Sequence, residues 1–124
     1  MNKQVVHTKL APAALGPYSQ GIICDNLIFC SGQTGLDADG NLVEGLVAQT
    51  EQCLKNISAV LTESGSSLNK VVKCTVFLTD MNDFAMVNEI YAKYFSAPYP
   101  ARSCVQVCTL PKGGLVEIEA IAAL

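Results

Sequence analysis

Apolar and polar residues change period several times along the chain, and each change marks an element. Gln4 to Thr8 is a short β-rich run. After the Pro/Gly segment APAALGPYSQG, two apolar runs, GIIC and LIFCSG, flank Asp25-Asn26, which predicts a β-hairpin. GQTGLDADGNLVEG reads as a loop, because its Gly, Asp and Asn residues supply turn conformations that strands and helices avoid. From Leu46 the spacing becomes helical. Leu46, Val47, Cys53, Leu54, Ile57, Val60 and Leu61 form one face, and Gly65 is placed to end the helix.

VVKCTVFL, Val71 to Leu78, is rich in β-branched residues and predicts a strand. Thr79-Asp80, with Asp83 three residues on, predicts the N-cap of a second helix. Its inner face is Phe84, Val87, Ile90, Tyr91, Tyr94 and Phe95, and Pro98 and Pro100 close it. Two strands follow, near Arg102 to Val107 and Leu115 to Ala123. The order β, β, β, α, β, α, β, β places the chain in the α+β class as one domain, residues 1–124, with no repeat or linker.

Two helices cover one face of a sheet of about five or six strands. Several strands are nevertheless apolar on both faces, at Ile22 and Ile23, Ile28 and Phe29, and Val116 and Ile121. The second face then needs cover from neighbouring copies, which predicts a homo-oligomer with an extensive apolar contact.

Composition adds exclusions. Half of the residues are hydrophobic and 15% are charged, enough apolar material for a core. The eight Lys and Arg residues are scattered singly in a chain of net charge −3, so no basic stripe is available for nucleic acid. MNKQVVHTKL lacks the apolar stretch of a signal peptide, and no apolar run approaches the ~18 residues of a membrane span. A cytoplasmic protein is expected, with an organellar location left open. The six cysteines, at positions 24, 30, 53, 74, 104 and 108, lie in apolar segments and form no C-x-x-C pair, so they read as reduced thiols. A single histidine, His7, argues against a metal site.

Chemistry concentrates near the C-terminus, in PARSCVQVCTLPKGGLVEIEAIA, which holds the chain's only arginine. Strand alternation puts Arg102, Cys104 and Gln106 on one face, and Glu117, Glu119 and Ile121 together on a face of the last strand. If these strands are neighbours, Arg102 and a glutamate converge: a guanidinium fork fits a carboxylate, and a glutamate activates water. A structural ion pair at a subunit interface explains the same residues and is the reading that spacing alone favours, and spacing does not choose between Glu117 and Glu119. Cys104 is either a nucleophile or a packed thiol. Tyr18 either lines a pocket or caps the core. Ser31-Gly32-Gln33, read as a turn after the hairpin, either offers a hydroxyl and backbone N–H groups suited to an anion or is an ordinary strand end. Asn88 lies among the core positions of the second helix, where a polar side chain more often faces water.

Taken together, APAALGPYSQG, the SGQ segment, TVFLTDMNDFAMVNEIYAKYF and PARSCVQVCTLPKGGLVEIEAIA resemble the RidA (YjgF) family of enamine and imine deaminases over essentially the whole chain. The resemblance implies a chorismate-mutase-like fold, a mixed β-sheet with two helices packed on one face. It also implies a homotrimer with sheets facing inward and active sites in clefts between subunits. The implied reaction hydrolyses 2-imino acids, derived from enamines released by serine and threonine dehydratases, to 2-oxo acids and ammonia without metal or organic cofactor. Carried over, Arg102 grips the substrate carboxylate, Glu117 orients the water, and Cys104 contributes largely through its backbone. Tyr18, Ser31, Gly32 and Asn88 match the remaining pocket positions. Two departures stand out. Thr34 and Gly35 follow Gln33 where many relatives carry a proline, so the rim is expected to differ in shape, and Gly113-Gly114 predicts a looser connection before Glu117. Rival functions for such a chain are a non-enzymatic small-carboxylate-binding or chaperone-like module and an endoribonuclease that inhibits translation.

Overall fold

The computed structural model, which describes residues 2–124, joins every predicted strand into one sheet. The strands are β1 (Lys3–Val6), β2 (Gly21–Cys24), β3 (Leu27–Thr34), β4 (Val71–Leu78), β5 (Ala101–Gln106) and β6 (Val116–Ala123). Helices α1 (Leu46–Glu63) and α2 (Phe84–Tyr94) complete the α+β architecture. The sheet order is β1-β2-β3-β6-β4-β5, and all neighbours are antiparallel except β4 and β5. That parallel pair follows from its connection: α2 carries the chain back over the sheet before β5 begins.

Leu54, Ile57, Val60 and Leu61, the inner stripe of α1, are fully buried against Val76, Leu78, Val116 and Ile118 of the helix-covered sheet face. Truncating one of them, as in Leu54→Ala, costs about 2–5 kcal/mol through lost transfer energy and the cavity left behind. Val47, which the spacing grouped with this stripe, is exposed. Gly65 ends α1 as expected: its φ of +89° is readily open to glycine. It lets the Ser66 N–H reach Leu61 O at 2.8 Å and its own N–H reach Thr62 O at 3.1 Å. On α2, Val87, Ile90 and Tyr91 are buried, and so is Phe95 just beyond its end, while Phe84 is exposed and Tyr94 half-buried.

Four local expectations need correction. β1 stops at Val6 and not Thr8, because the Gln20 amide takes up both main-chain groups of Thr8, accepting from its N–H at 2.7 Å and donating to its carbonyl at 3.0 Å. Asp80 caps, but it caps the single 3-10 turn Met81–Asp83 that leads into α2, accepting from the Asn82 N–H at 2.9 Å. Ser31-Gly32-Gln33 is part of β3, where a bulge falls between Cys30 and Gln33, and is not a turn after it. Finally, β5 and β6 are not neighbours, since β4 lies between them.

The face of the sheet away from the helices is apolar across its middle. Val5, Ile22, Phe29 and Ile121 stand opposite one another in a row from β1 to β6, and Phe77 and Val105, paired with each other on β4 and β5, add apolar surface to the same face in the row of Glu117. Val5 is 69% exposed and Phe29 42%. All six cysteines are free, and burial pushes the Cys30 thiol up to about 12. Among the described residues, no helix is long and apolar enough to cross a membrane.

Candidate functional site

Glu117 belongs to a row with Thr34 of β3 and Phe77 of β4, so it projects from the open face of the sheet. It borders a cleft of about 720 Å³ whose lining includes Tyr18, Ser31, Gly32, Thr34 and Lys112. Burial, and next the charge of Glu119, hold its carboxyl above the usual carboxylate range. Gly32 makes room for it. A Cβ at that position would sit 2.6 Å from Glu117 Oε2, so any side chain there moves the carboxylate.

The β3 bulge brings Ser31 and Gly32 to this carboxylate, and the Tyr18 loop is pinned beside them. Ser31 donates its N–H to Gln20 O at 2.9 Å and its hydroxyl to Ser19 O at 2.6 Å. Both donors of Ser31 are thereby committed, which corrects the expectation of a free anion nest at this segment. Gln20 is the organiser: buried, it binds Thr8 at both main-chain groups and donates to Pro12 O at 2.8 Å. Tyr18 is 55% exposed on the cleft wall, so it lines the pocket and does not cap the core.

The connection before Glu117 is tied down, contrary to the looseness expected of Gly113-Gly114. It forms a 3-10 turn, Pro111–Gly113, with left-handed Lys112 and Gly113. Lys112 Nζ donates to Gly40 O at 3.1 Å, and the Leu115 N–H donates to the buried Gln49 Oε1 at 2.9 Å.

Arg102 is elsewhere. It stands in a row with Cys74 and Ala120, both buried beneath the helices, and so projects from the opposite face to Glu117. The convergence of Arg102 and Glu117 within one chain therefore does not occur: β4 separates their strands, and their rows differ in parity. The guanidinium meets α2 instead. Its Nη1 donates to Asn88 Oδ1 at 2.7 Å, and its Cζ lies 4.9 Å from the ring centroid of Tyr91 and 5.5 Å from that of Phe84. Asn88, expected to face water, faces the arginine. Among the described residues this is the guanidinium's one hydrogen bond, leaving its other N–H groups unused within the chain. Cys104 shares the face and is half-buried, and burial raises its thiol while Arg102 lowers it, so no activated thiolate results.

The candidate residues thus form two clusters: Tyr18, Ser31, Gly32 and Glu117 on one face, and Asn88, Arg102 and Cys104 on the other. Glu119 is exposed one row from Glu117, opposite Thr75. Among the described residues, no group of three His, Cys, Asp or Glu side chains is arranged to hold a metal ion. Sequence reading missed Gln20, Gln49, Phe84 and Tyr91 as supports of the two clusters. A signal existed for the last two: Phe84, Asn88 and Tyr91 are spaced i, i+4, i+7, which makes one stripe on a helix.

The family described as Endoribonuclease L-PSP matches residues 8–124. A goat protein named 2-iminobutanoate/2-iminopropanoate deaminase is 50% identical over 122 residues, covering 97% of this chain and 89% of its own length. The Arabidopsis thaliana protein named Reactive Intermediate Deaminase A, chloroplastic, is 54% identical over 126 residues, covering 100% of this chain and 67% of its own length. Among solved structures, RidA from an Antarctic Psychrobacter superposes with a TM-score of 0.95 at 50% identity, covering 98% of this chain and 99% of its own. E. coli TdcF with bound serine gives a TM-score of 0.93 at 39% identity, covering 98% of each chain.

Proposed function

This chain belongs to the RidA (YjgF) family, and from that premise we propose that it hydrolyses 2-imino acids to 2-oxo acids and ammonia. The observation that carries the reading is a pair of preorganised groups: a guanidinium with unused donors, Arg102, and a half-buried carboxylate bordering a cleft, Glu117. Arg102 grips the substrate carboxylate in plane, while Glu117 takes a proton from water as its oxygen bonds to the C=N carbon. That proton passes to nitrogen to give a carbinolamine, whose hydroxyl proton then moves to nitrogen as the C=O bond forms and the C–N bond breaks, and ammonia leaves. Substrate and one water balance the reaction. Tyr18, Ser31 and Gly32 shape the water side of the site, Asn88 steadies the arginine, and Cys104 contributes packing and backbone.

The two clusters meet across copies of a homotrimer of this single-domain chain. Burying the apolar open faces against one another sets the Arg102 edge strand of one copy beside the Glu117 cleft of the next. The scattered cations of a chain of net charge −3 supply no basic stripe for a phosphate chain, which disfavours the ribonuclease reading. A cytoplasmic location fits. One relative is named as chloroplastic, and cell fractionation decides between cytoplasm and organelle.

The test is a coupled assay in which a threonine dehydratase generates the imine and its decay is followed with and without this protein. Faster hydrolysis is expected for the parent. Arg102→Lys should be nearly as inactive as Arg102→Ala, both still folded, because lysine keeps the charge and loses the two-point grip. No acceleration by the parent for any of several imino acids sinks the reading.

A further inference from the structure

Phe84 is a large aromatic residue at the first position of α2, 37% exposed. Its surroundings give it a task. Phe84, Asn88 and Tyr91 lie along one stripe of the helix, and all three meet the same guanidinium. Asn88 takes one hydrogen bond in the guanidinium plane, and the two rings offer their negative faces to its positive charge. Tyr91 Oη is buried beside the Cys74 thiol and does not reach the guanidinium, so it is the ring that meets Arg102.

We infer that Phe84 and Tyr91 are positioning residues for Arg102: with Asn88 they form a cradle that holds the guanidinium in its carboxylate-binding orientation before substrate arrives. The inference rests on the reading of Arg102 as the carboxylate grip. A free arginine side chain samples many rotamers, and only the fraction already in place binds, so apparent affinity falls in proportion to that fraction. Once the carboxylate is bound, the same two-point contact forms whether or not the cradle helped. The cradle therefore acts on affinity and little on turnover.

Phe84→Leu tests this at an exposed site, since it keeps apolar bulk and removes the π face. The expected result is a rise of about threefold to thirtyfold in KM, and the same rise in the dissociation constant of 2-oxobutanoate measured by calorimetry. The change in kcat should be less than about twofold, with the thermal midpoint near that of the parent. Phe84→Tyr restores the π face and should recover the affinity. Unchanged KM and 2-oxobutanoate affinity in Phe84→Leu, with binding abolished in Arg102→Ala, overturns the cradle and leaves the carboxylate grip standing. Undiminished 2-oxobutanoate binding by Arg102→Ala overturns the grip itself, and the cradle with it. Equal losses in Phe84→Leu and Phe84→Tyr alongside a lowered thermal midpoint would mark Phe84 as structural and also overturn the cradle.

Discussion

Glu117 is held where its charged form is costly, and the direction of that cost is testable. Its carboxyl titrates above the usual value of 4.5, so the native state binds this proton more tightly than the unfolded chain does. Its contribution to stability is complete below 4.5 and is lost as pH rises through the raised native value. Activity runs the other way, because a base must be ionised. The acid limb of kcat/KM should therefore be centred above 4.5, and in Glu119→Gln, which removes the neighbouring charge, it should move toward lower pH. Gly32 offers a second check. The atom that an added Cβ meets is the far end of a flexible side chain, so Gly32→Ala should fold with a nearly unchanged thermal midpoint while the carboxylate shifts. A displacement of ~1 Å costs on the order of 10²-fold in rate, and a parent-like kcat in Gly32→Ala would show that the carboxylate needs no such placement.

At the scale of elements, the strands and helices were legible because their patterns are local. Val71 to Leu78 could hardly pack except as a strand, and the leucine and isoleucine stripe of α1 has a period no strand shares. Alternation also gave the right partners within each strand, Arg102 with Cys104 and Glu117 with Glu119. What alternation lacks is the relation between strands, which depends on long-range pairing and on which element inserts between them. The β3 bulge was hidden for a related reason: one extra residue reverses which side chains face inward, and the Gly32 that could mark it reads equally well as the end of a strand. The Gln20 knot was hidden because an amide that replaces backbone partners looks, in sequence, like any loop glutamine. Gln20→Leu should cost about 2–4 kcal/mol, since it orphans the buried N–H of Thr8 and leaves its carbonyl without the amide donor. Limited proteolysis should then cut first within residues 9–19, and a loop as resistant as the parent's would show that the knot is dispensable.

For the whole molecule, the proposed function makes assembly part of catalysis, because it draws on residues that lie on two faces of each chain. Arg102→Ala and Glu117→Gln should each be inactive alone, yet unfolded and refolded together they should regain activity. A composite site needs Arg102 from one copy and Glu117 from its neighbour, and random mixing in equal amounts supplies that pair at about a quarter of sites. Recovery near that level is expected in the coupled assay. No recovery from mixed oligomers of confirmed composition would place both residues of each site in one chain.

The position of β4 between β5 and β6 has a consequence for the protein in dilute solution. That strand keeps the arginine and the glutamate of any one molecule on opposite sides of a wall, so a solitary chain carries both tools and can bring them to bear on nothing. Under the proposed function, catalysis is then a collective property with its own threshold. Below the concentration at which copies associate, output falls faster than the amount of protein, and a newly made chain stays silent until it has company.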